Sequence, residues 1–153
     1  MDYYALTRQL MLEIGPAMDF DEVTEVKDKN FWMMTFNSYF YIEADLDSAL
    51  GSLSFTMDIG QPETRRRAEL LESMMVYNSL WKQTGGVRLA LEEANGHFVL
   101  IVERNLMQLD IIELQNLLTN YIKACMYWKQ IVEGEILDIE PVLNLNVNHM
   151  MRV

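Results

Sequence analysis

The sequence holds one cysteine, two histidines and only 12 Lys and Arg against 23 Asp and Glu, and each shortage excludes something. A lone thiol, Cys125, cannot close an intramolecular disulfide. His97 opens a strand segment and His149 lies near the end, so no His or Cys pair has ligand spacing and no metal is expected. A formal net charge of -11 repels phosphate backbones and anionic lipid, which argues against nucleic-acid and membrane partners. No apolar run reaches the ~18 to 20 residues of a spanning helix. The start, MDYYALTRQL, lacks the basic and continuously apolar stretches of an export signal, and the simplest expected compartment is a reducing cytoplasm. No GxGxxG or P-loop pattern is present, and Thr84-Gly85-Gly86 lies between a helix and a strand, the wrong order for a phosphate loop, so no cofactor is expected. The carboxylates, including Glu92 with Glu93 and a cluster from Asp19 to Asp28, show no pairing across an apolar pocket, and no enzyme is expected.

What is present suits a soluble globular domain. The chain has 153 residues, 50% of them apolar and 23% charged, and a domain near that size buries roughly 68 to 70% of its unfolded surface. Tyr3, Leu6, Leu10 and Ile14 predict a helix over Asp2 to Ile14, stopped by Gly15 and Pro16. An acidic connector, MDFDEVTEVKDKN, follows. Phe31 to Asn37, Tyr39 to Ala44 and Leu53 to Ile59 read as strands, and Pro62 opens a second helix running to about Lys82. VRLALEE and HFVLIVE form a hairpin across Ala94-Asn95-Gly96. A last helix starts at the capping-box-like pair Asp110 and Glu113, carries Leu114, Leu118, Tyr121, Cys125, Trp128 and Val132 on one stripe, and ends near Gly134. Cys125 on that stripe reads as a buried, inert thiol. The order is αβββαβββα, the middle strand of the second set being optional. The fold class is α+β: three helices with a twisted, mostly antiparallel sheet. Residues 1–133 form one domain and 134–153 an extension.

Two segments carry more apolar surface than one layer can hide. The strand FWMMTF sets Phe31, Met33 and Thr35 on one face and Trp32, Met34 and Phe36 on the other. It is either a central strand covered twice or part of an exposed groove. On the second helix Leu70, Met74, Tyr77 and Trp81 form a stripe that Leu71, Met75, Val76 and Leu80 widen beyond the arc needed to cover a sheet, and a second copy of the chain is the economical partner. The 12 methionines suit either an irregular core or an adaptable surface. Arg65-Arg66-Arg67 fan round a helix and read as solvated or paired with acidic neighbours. In the extension, Leu143-Asn144-Leu145-Asn146-Val147-Asn148 alternates with period two, and it is expected either to dock as a strand on a sheet edge or apolar groove of the chain's own dimer or to stay mobile until a partner arrives.

Residues Leu70 to Val132 resemble a known family. Asn78-Ser79-Leu80-Trp81 closing a leucine-rich helix, Thr84-Gly85-Gly86, the strand Leu89-Ala90-Leu91, a Gly-turned hairpin, Arg104-Asn105-Leu106 and a last helix with Trp128 resemble, in this order, class I type III secretion chaperones of the Tir-chaperone-like family. The resemblance extends over about Leu6 to Val132 and departs at Gly15-Pro16-Ala17-Met18 and after Gly134. It implies a non-enzymatic homodimer of the bacterial cytoplasm that binds the non-globular N-terminal segment of a secreted effector and keeps it secretion-competent, with the export ATPase as a further partner. The effector-binding residues are expected to be Leu6, Leu10, Trp32, Met34 and Phe36, and the dimer interface Met74, Met75, Leu80 and Trp81. The competing readings are a regulator that sequesters a transcriptional activator or anti-activator, and a small-ligand-binding α+β domain, which would need a closed pocket with convergent polar groups.

Overall fold

The computed structural model describes residues 1–136. Three helices, α1 (Tyr3–Met18), α2 (Arg67–Ser79) and α3 (Ile111–Val132), accompany six strands: β1 (Glu22–Val26), β2 (Phe31–Phe36), β3 (Phe40–Asp47), β4 (Ser52–Gly60), β5 (Arg88–Leu91) and β6 (Phe98–Asn105). The strands form one sheet in the order β1-β2-β3-β4-β6-β5. The α+β class stands, and the element order becomes αββββαββα. One strand is gained in the first set and one lost in the second.

The gained strand is β1, which the sequence reading assigned to an acidic connector. Its exposed Glu22 and Thr24 give it the polarity of a loop, but it pairs antiparallel with β2, Val23 opposite Met34 and Glu25 opposite Trp32. As an edge strand it tolerates polar side chains that a central strand would not. The turn into β2 uses left-handed residues at Asp28 and Asn30, both types that tolerate positive φ. In the second set only the β5–β6 hairpin forms, with β5 shorter than the expected VRLALEE, β6 running on to Asn105 past the expected HFVLIVE, and residues 92–97 between them.

α1 also outlasts its expected stop. Asp2 caps its start by accepting from the Ala5 N–H at 3.0 Å. Pro16 lies inside the last turn, where its missing N–H removes one bond on an exposed side of the helix. The helix closes three residues later on left-handed Asp19, with Phe20 N–H bonded to Gly15 O at 3.0 Å and Asp19 N–H to Pro16 O at 3.3 Å, the paired bonds of a Schellman stop. α2 starts later than expected: Glu63 is extended, so Pro62 stands outside, and a 3-10 turn over Thr64–Arg66 leads in.

The described chain divides into two compact units, Met1–Met57 with Glu103–Leu118, and Asp58–Val102 with the rest of the chain from Thr119. In the first unit one face of the sheet is core: Trp32, Met34 and Phe36 on β2, Ile42, Ala44 and Leu46 on β3, and Leu53, Phe55 and Met57 on β4 are all buried. α1 contributes Leu10, Met11 and Ile14 to that core. Each buried Leu, Ile, Phe or Met among them is worth roughly 1.5 to 3 kcal/mol of transfer free energy. Gly51, at φ 65°, sits under the Tyr3 ring, whose nearest atom lies 2.5 Å from where a Cβ would be, so only glycine fits the β3–β4 turn.

In the second unit α2 and the C-terminal half of α3 share a core. The Tyr77 and Trp128 rings meet edge to face at 5.1 Å, and burial pushes the Tyr77 phenol and the Cys125 thiol above their ordinary pKa values. Tyr121 Oη donates to Leu100 O at 2.5 Å. Asn78 stitches α2 to β5: its Nδ2 donates to Leu89 O at 2.9 Å and its Oδ1 accepts from Leu89 N–H at 2.8 Å. That amide occupies backbone groups a neighbouring strand would otherwise pair with. Two of the three consecutive arginines are structural rather than solvated. Arg66 donates to the carbonyls of Ile131 and Val132 at the end of α3, and Arg67 donates to Gly96 O while its guanidinium lies 5.0 Å from the centre of the Phe98 ring.

Candidate interaction surfaces

Among the described residues no three His, Cys, Asp or Glu side chains gather where they could hold a metal, and no helix is long and apolar enough to cross a membrane. Cys125 is fully buried. His97 Nδ1 lies 2.9 Å from an Asp58 carboxylate oxygen in a partly exposed pair. What the structure offers instead is apolar surface.

On β2 the structure reverses the expected assignment. Leu10, Trp32, Met34 and Phe36 were expected to face a client, yet all four are buried in the first unit, and Leu6 is half-buried. The reason is the position of α1, whose Tyr4 ring stands 6.1 Å from that of Trp32 and whose stripe joins the same core. The face left half-open is the other one, with Phe31, Met33 and Thr35. The antiparallel registers place Val26, Thr24 and Glu22 beside them on β1, and Asp45, Glu43 and Tyr41 beside them on β3. The result is an apolar strip, Val26–Phe31–Met33–Tyr41, edged by carboxylates. The sequence contained this face, but the residues alone do not say which parity α1 covers.

At the C-terminal end of α1 lies an open groove of about 290 Å³, with Met11, Leu12, Pro16, Phe20 and Val23 as its apolar wall and Asp19, Asp21 and Glu22 at its rim. Leu12 is 69% exposed. The groove borders the edge strand β1. Leu12 lies off the stripe Tyr3–Leu6–Leu10–Ile14, and that misfit is the one signal that could have found it.

On α2 the excess width is real, but its members differ from those expected. Met74 belongs to the core, whereas Met75 is 73% exposed, Val76 54% and Trp81 54%, with Leu71 and Leu80 half-buried. Leu71 with Met75, and Val76 with Leu80, are four residues apart and therefore adjacent on the helix surface. Trp81 stands just past the helix end, with the Lys82 ammonium 5.4 Å from its ring centre.

A family model for the Tir chaperone protein (CesT) family matches residues 46–129, more than half of the chain. The chain belongs to the Tir chaperone family. Solved structures share the fold of this chaperone-family chain. A chain of the ExsC–ExsE complex superposes with a TM-score of 0.73 at 13% identity, covering 87% of this chain and 98% of that one. One from the HopA1–SchA chaperone–effector complex gives 0.67 at 14%, covering 83% and 95%. A chain from the structure of the Yersinia pestis type III secretion chaperone SycH in complex with a stable fragment of YscM2 gives 0.59 at 17%, covering 77% and 95%. No curated protein matches the sequence at a significant level.

Proposed function

We propose that this member of the family is a type III secretion chaperone, a homodimer of the bacterial cytoplasm that binds the non-globular N-terminal segment of a secreted effector and keeps it soluble and secretion-competent, without catalysis. The family match over residues 46–129 carries the reading. Similarity of fold to a chaperone–effector complex supports it.

The physical mechanism follows from the surfaces of the first unit. An extended client can add main-chain hydrogen bonds at the edge strand β1 while alternate apolar side chains enter the groove walled by Leu12, Phe20 and Val23. The strip of Phe31, Met33 and Tyr41 offers a further apolar platform, and its carboxylate edges favour a client with basic residues. Ordering such a client costs several kcal/mol, so a large wrapped surface is required, and two copies double what one offers. Met75, Val76, Leu80 and Trp81 form the self-association face in this reading.

The test is co-expression with N-terminal segments of effectors encoded by the same genome, followed by light scattering of the purified complex. A stable complex with two chaperone chains is expected. Phe31→Glu with Met33→Glu should abolish it without changing the thermal melt. Trp32→Ser with Phe36→Ser should unfold the protein instead. A client held with unchanged affinity by the Phe31/Met33 double variant and by a Leu12→Glu variant would overturn this placement of the site.

A further inference from the structure

In the first unit, the sheet face turned away from α1 has a defined order of side chains. Val23 and Glu25 of β1 point to α1: a Cβ on Gly15 would lie 3.1 Å from Val23 Cγ2, and Glu25 accepts from Tyr4 Oη and, at 3.3 Å, from Arg8 Nε. Alternation therefore turns Glu22, Thr24 and Val26 to the opposite face. Pairing sets three rows across the strands there: Val26–Phe31–Asp45, Thr24–Met33–Glu43 and Glu22–Thr35–Tyr41. β4 continues the first two rows with Ser54 beside Asp45 and Thr56 beside Glu43. None of these positions holds Lys or Arg, and Lys27 and Lys29 lie in the turn beyond the rows. Around half-buried Phe31 and Met33 the face is thus neutral on its β1 flank and anionic on its β3 flank.

The occupant is constrained by that chemistry. Neighbouring strands already pair the backbone of β2 and β3 on both sides, so an extended segment laid on the face would find no main-chain partners, whereas a helix satisfies its own. A second copy presenting the same face would set carboxylate against carboxylate. A helix about 10 to 12 Å across covers two or three strands spaced about 4.8 Å apart. Its residues four apart are separated by about 6 Å, close to the roughly 6.6 Å between alternate residues of a strand. We infer that this face receives an amphipathic helix of the client, with apolar residues on Val26, Phe31 and Met33 and a Lys or Arg pair four residues apart on the flank over Glu43 and Asp45. This docking rests on the chaperone reading and adds to it the client's conformation and the side that carries its charge. The carboxylates act mainly by selection, since exposed ion pairs contribute little affinity and an acidic residue in the same place meets like charge.

The probes are Ala-rich peptides of about 20 residues, long enough to be helical in water, with one apolar stripe and, on one flank, a pair of Lys, Gln or Glu four residues apart. Fluorescence anisotropy with the full chain at low salt should show the Lys peptide binding several-fold more tightly than the Gln peptide, and the Glu peptide more weakly than either. Glu43→Gln with Asp45→Asn should remove the preference for Lys. Glu69→Gln with Glu72→Gln, which takes the same charge from exposed positions of α2, should leave it. Phe31→Ser with Met33→Ser should weaken all three peptides alike. Equal loss of preference in the two charge-neutralised variants overturns the inference, because net charge alone would then attract the peptide. Binding unchanged by the Phe31/Met33 variant also overturns it. If an effector segment is retained on co-expression while no peptide binds, the chaperone reading stands and this docking fails. If the peptides bind in the expected pattern while no effector segment is retained, the docking stands and the chaperone reading fails.

Discussion

In the second unit, α2 and the C-terminal half of α3 begin from the same kind of pattern and end in different states. Both carry apolar residues at spacings of three and four. On α3 the stripe disappears from solvent: Tyr121, Cys125, Trp128 and Val132 are all 0% exposed, while its neighbours Thr119 and Lys123 are polar and face out. On α2 the stripe Leu70, Met74 and Tyr77 disappears as well, but Met75 and Val76, between Met74 and Tyr77, are exposed, whereas Met126 and Tyr127, at the same places between Cys125 and Trp128 on α3, are half-buried. Both stripes have apolar flanks, so what the rest of the fold covers, more than the hydrophobicity of the centre, separates the helix that completes a core from the one that leaves apolar surface open.

Removing the central side chain of the completed stripe should do the most damage. Trp128→Ala empties a site fully enclosed and packed edge to face on Tyr77, and such truncations cost about 3 to 5 kcal/mol. Urea denaturation at a fixed protein concentration should show that loss with little change in slope. A loss under about 1 kcal/mol would mean that α3 is not the core helix described.

The flanking positions of α2 should behave in the opposite way. Met75→Glu with Val76→Glu places charge where the side chains are already exposed, so the monomer should melt where the parent monomer does. Dimer association should weaken at least about 100-fold, equal to about 2.7 kcal/mol, as read by sedimentation. Intact dimers in the double variant would move self-association to another surface.

How far the sequence could draw this contrast depends on the element. The periodicity of α3 and the excess width of α2 were legible because both follow from spacing within one helix. The burial of Met74 and the exposure of Met75 were not, since adjacent residues on one helix differ only in where the rest of the fold lies. β2 shows the same limit: its two apolar faces were plain, but burial of Trp32, Met34 and Phe36 depends on α1 docking on that side. β1 was hidden for a different reason, because an edge strand needs no apolar alternation. Family membership was legible from the ordered segments between Leu70 and Val132. The expected strand at Leu143–Asn148 lies outside the described residues.

Between core and surface stands the junction of α2 with β5. Asn78→Leu keeps the volume but leaves the Leu89 N–H and C=O without the amide that now serves both. An unsatisfied, partly buried pair costs about 1 to 3 kcal/mol, and amide exchange at Leu89 should accelerate more than at Leu100. Asn78→Gln, one methylene longer, should recover part of the loss if the hydrogen bonds are the cause.

The smallest effect sharpens the comparison most finely, because it separates two neighbouring residues of one type. Arg65 is 79% exposed and pairs with Glu63 at 2.7 Å, and exposed ion pairs contribute about 0 to 1 kcal/mol before screening by salt. Arg66 donates to carbonyls at the end of α3, where helix termini leave acceptors without partners and a cation also meets the favourable end of the helix dipole. Arg65→Ala should therefore leave the urea midpoint almost unchanged, and what little it loses should vanish in 0.5 M salt, a concentration near which the screening length falls to about 4 Å. Arg66→Ala should lower stability by about 1 kcal/mol, the usual scale of a lost cap. Part of that loss should persist in salt, because hydrogen bonds to half-buried carbonyls are screened less than an exposed pair. Equal, fully salt-sensitive losses in both variants would mean that Arg66 acts only through its charge, and that α3 closes without it.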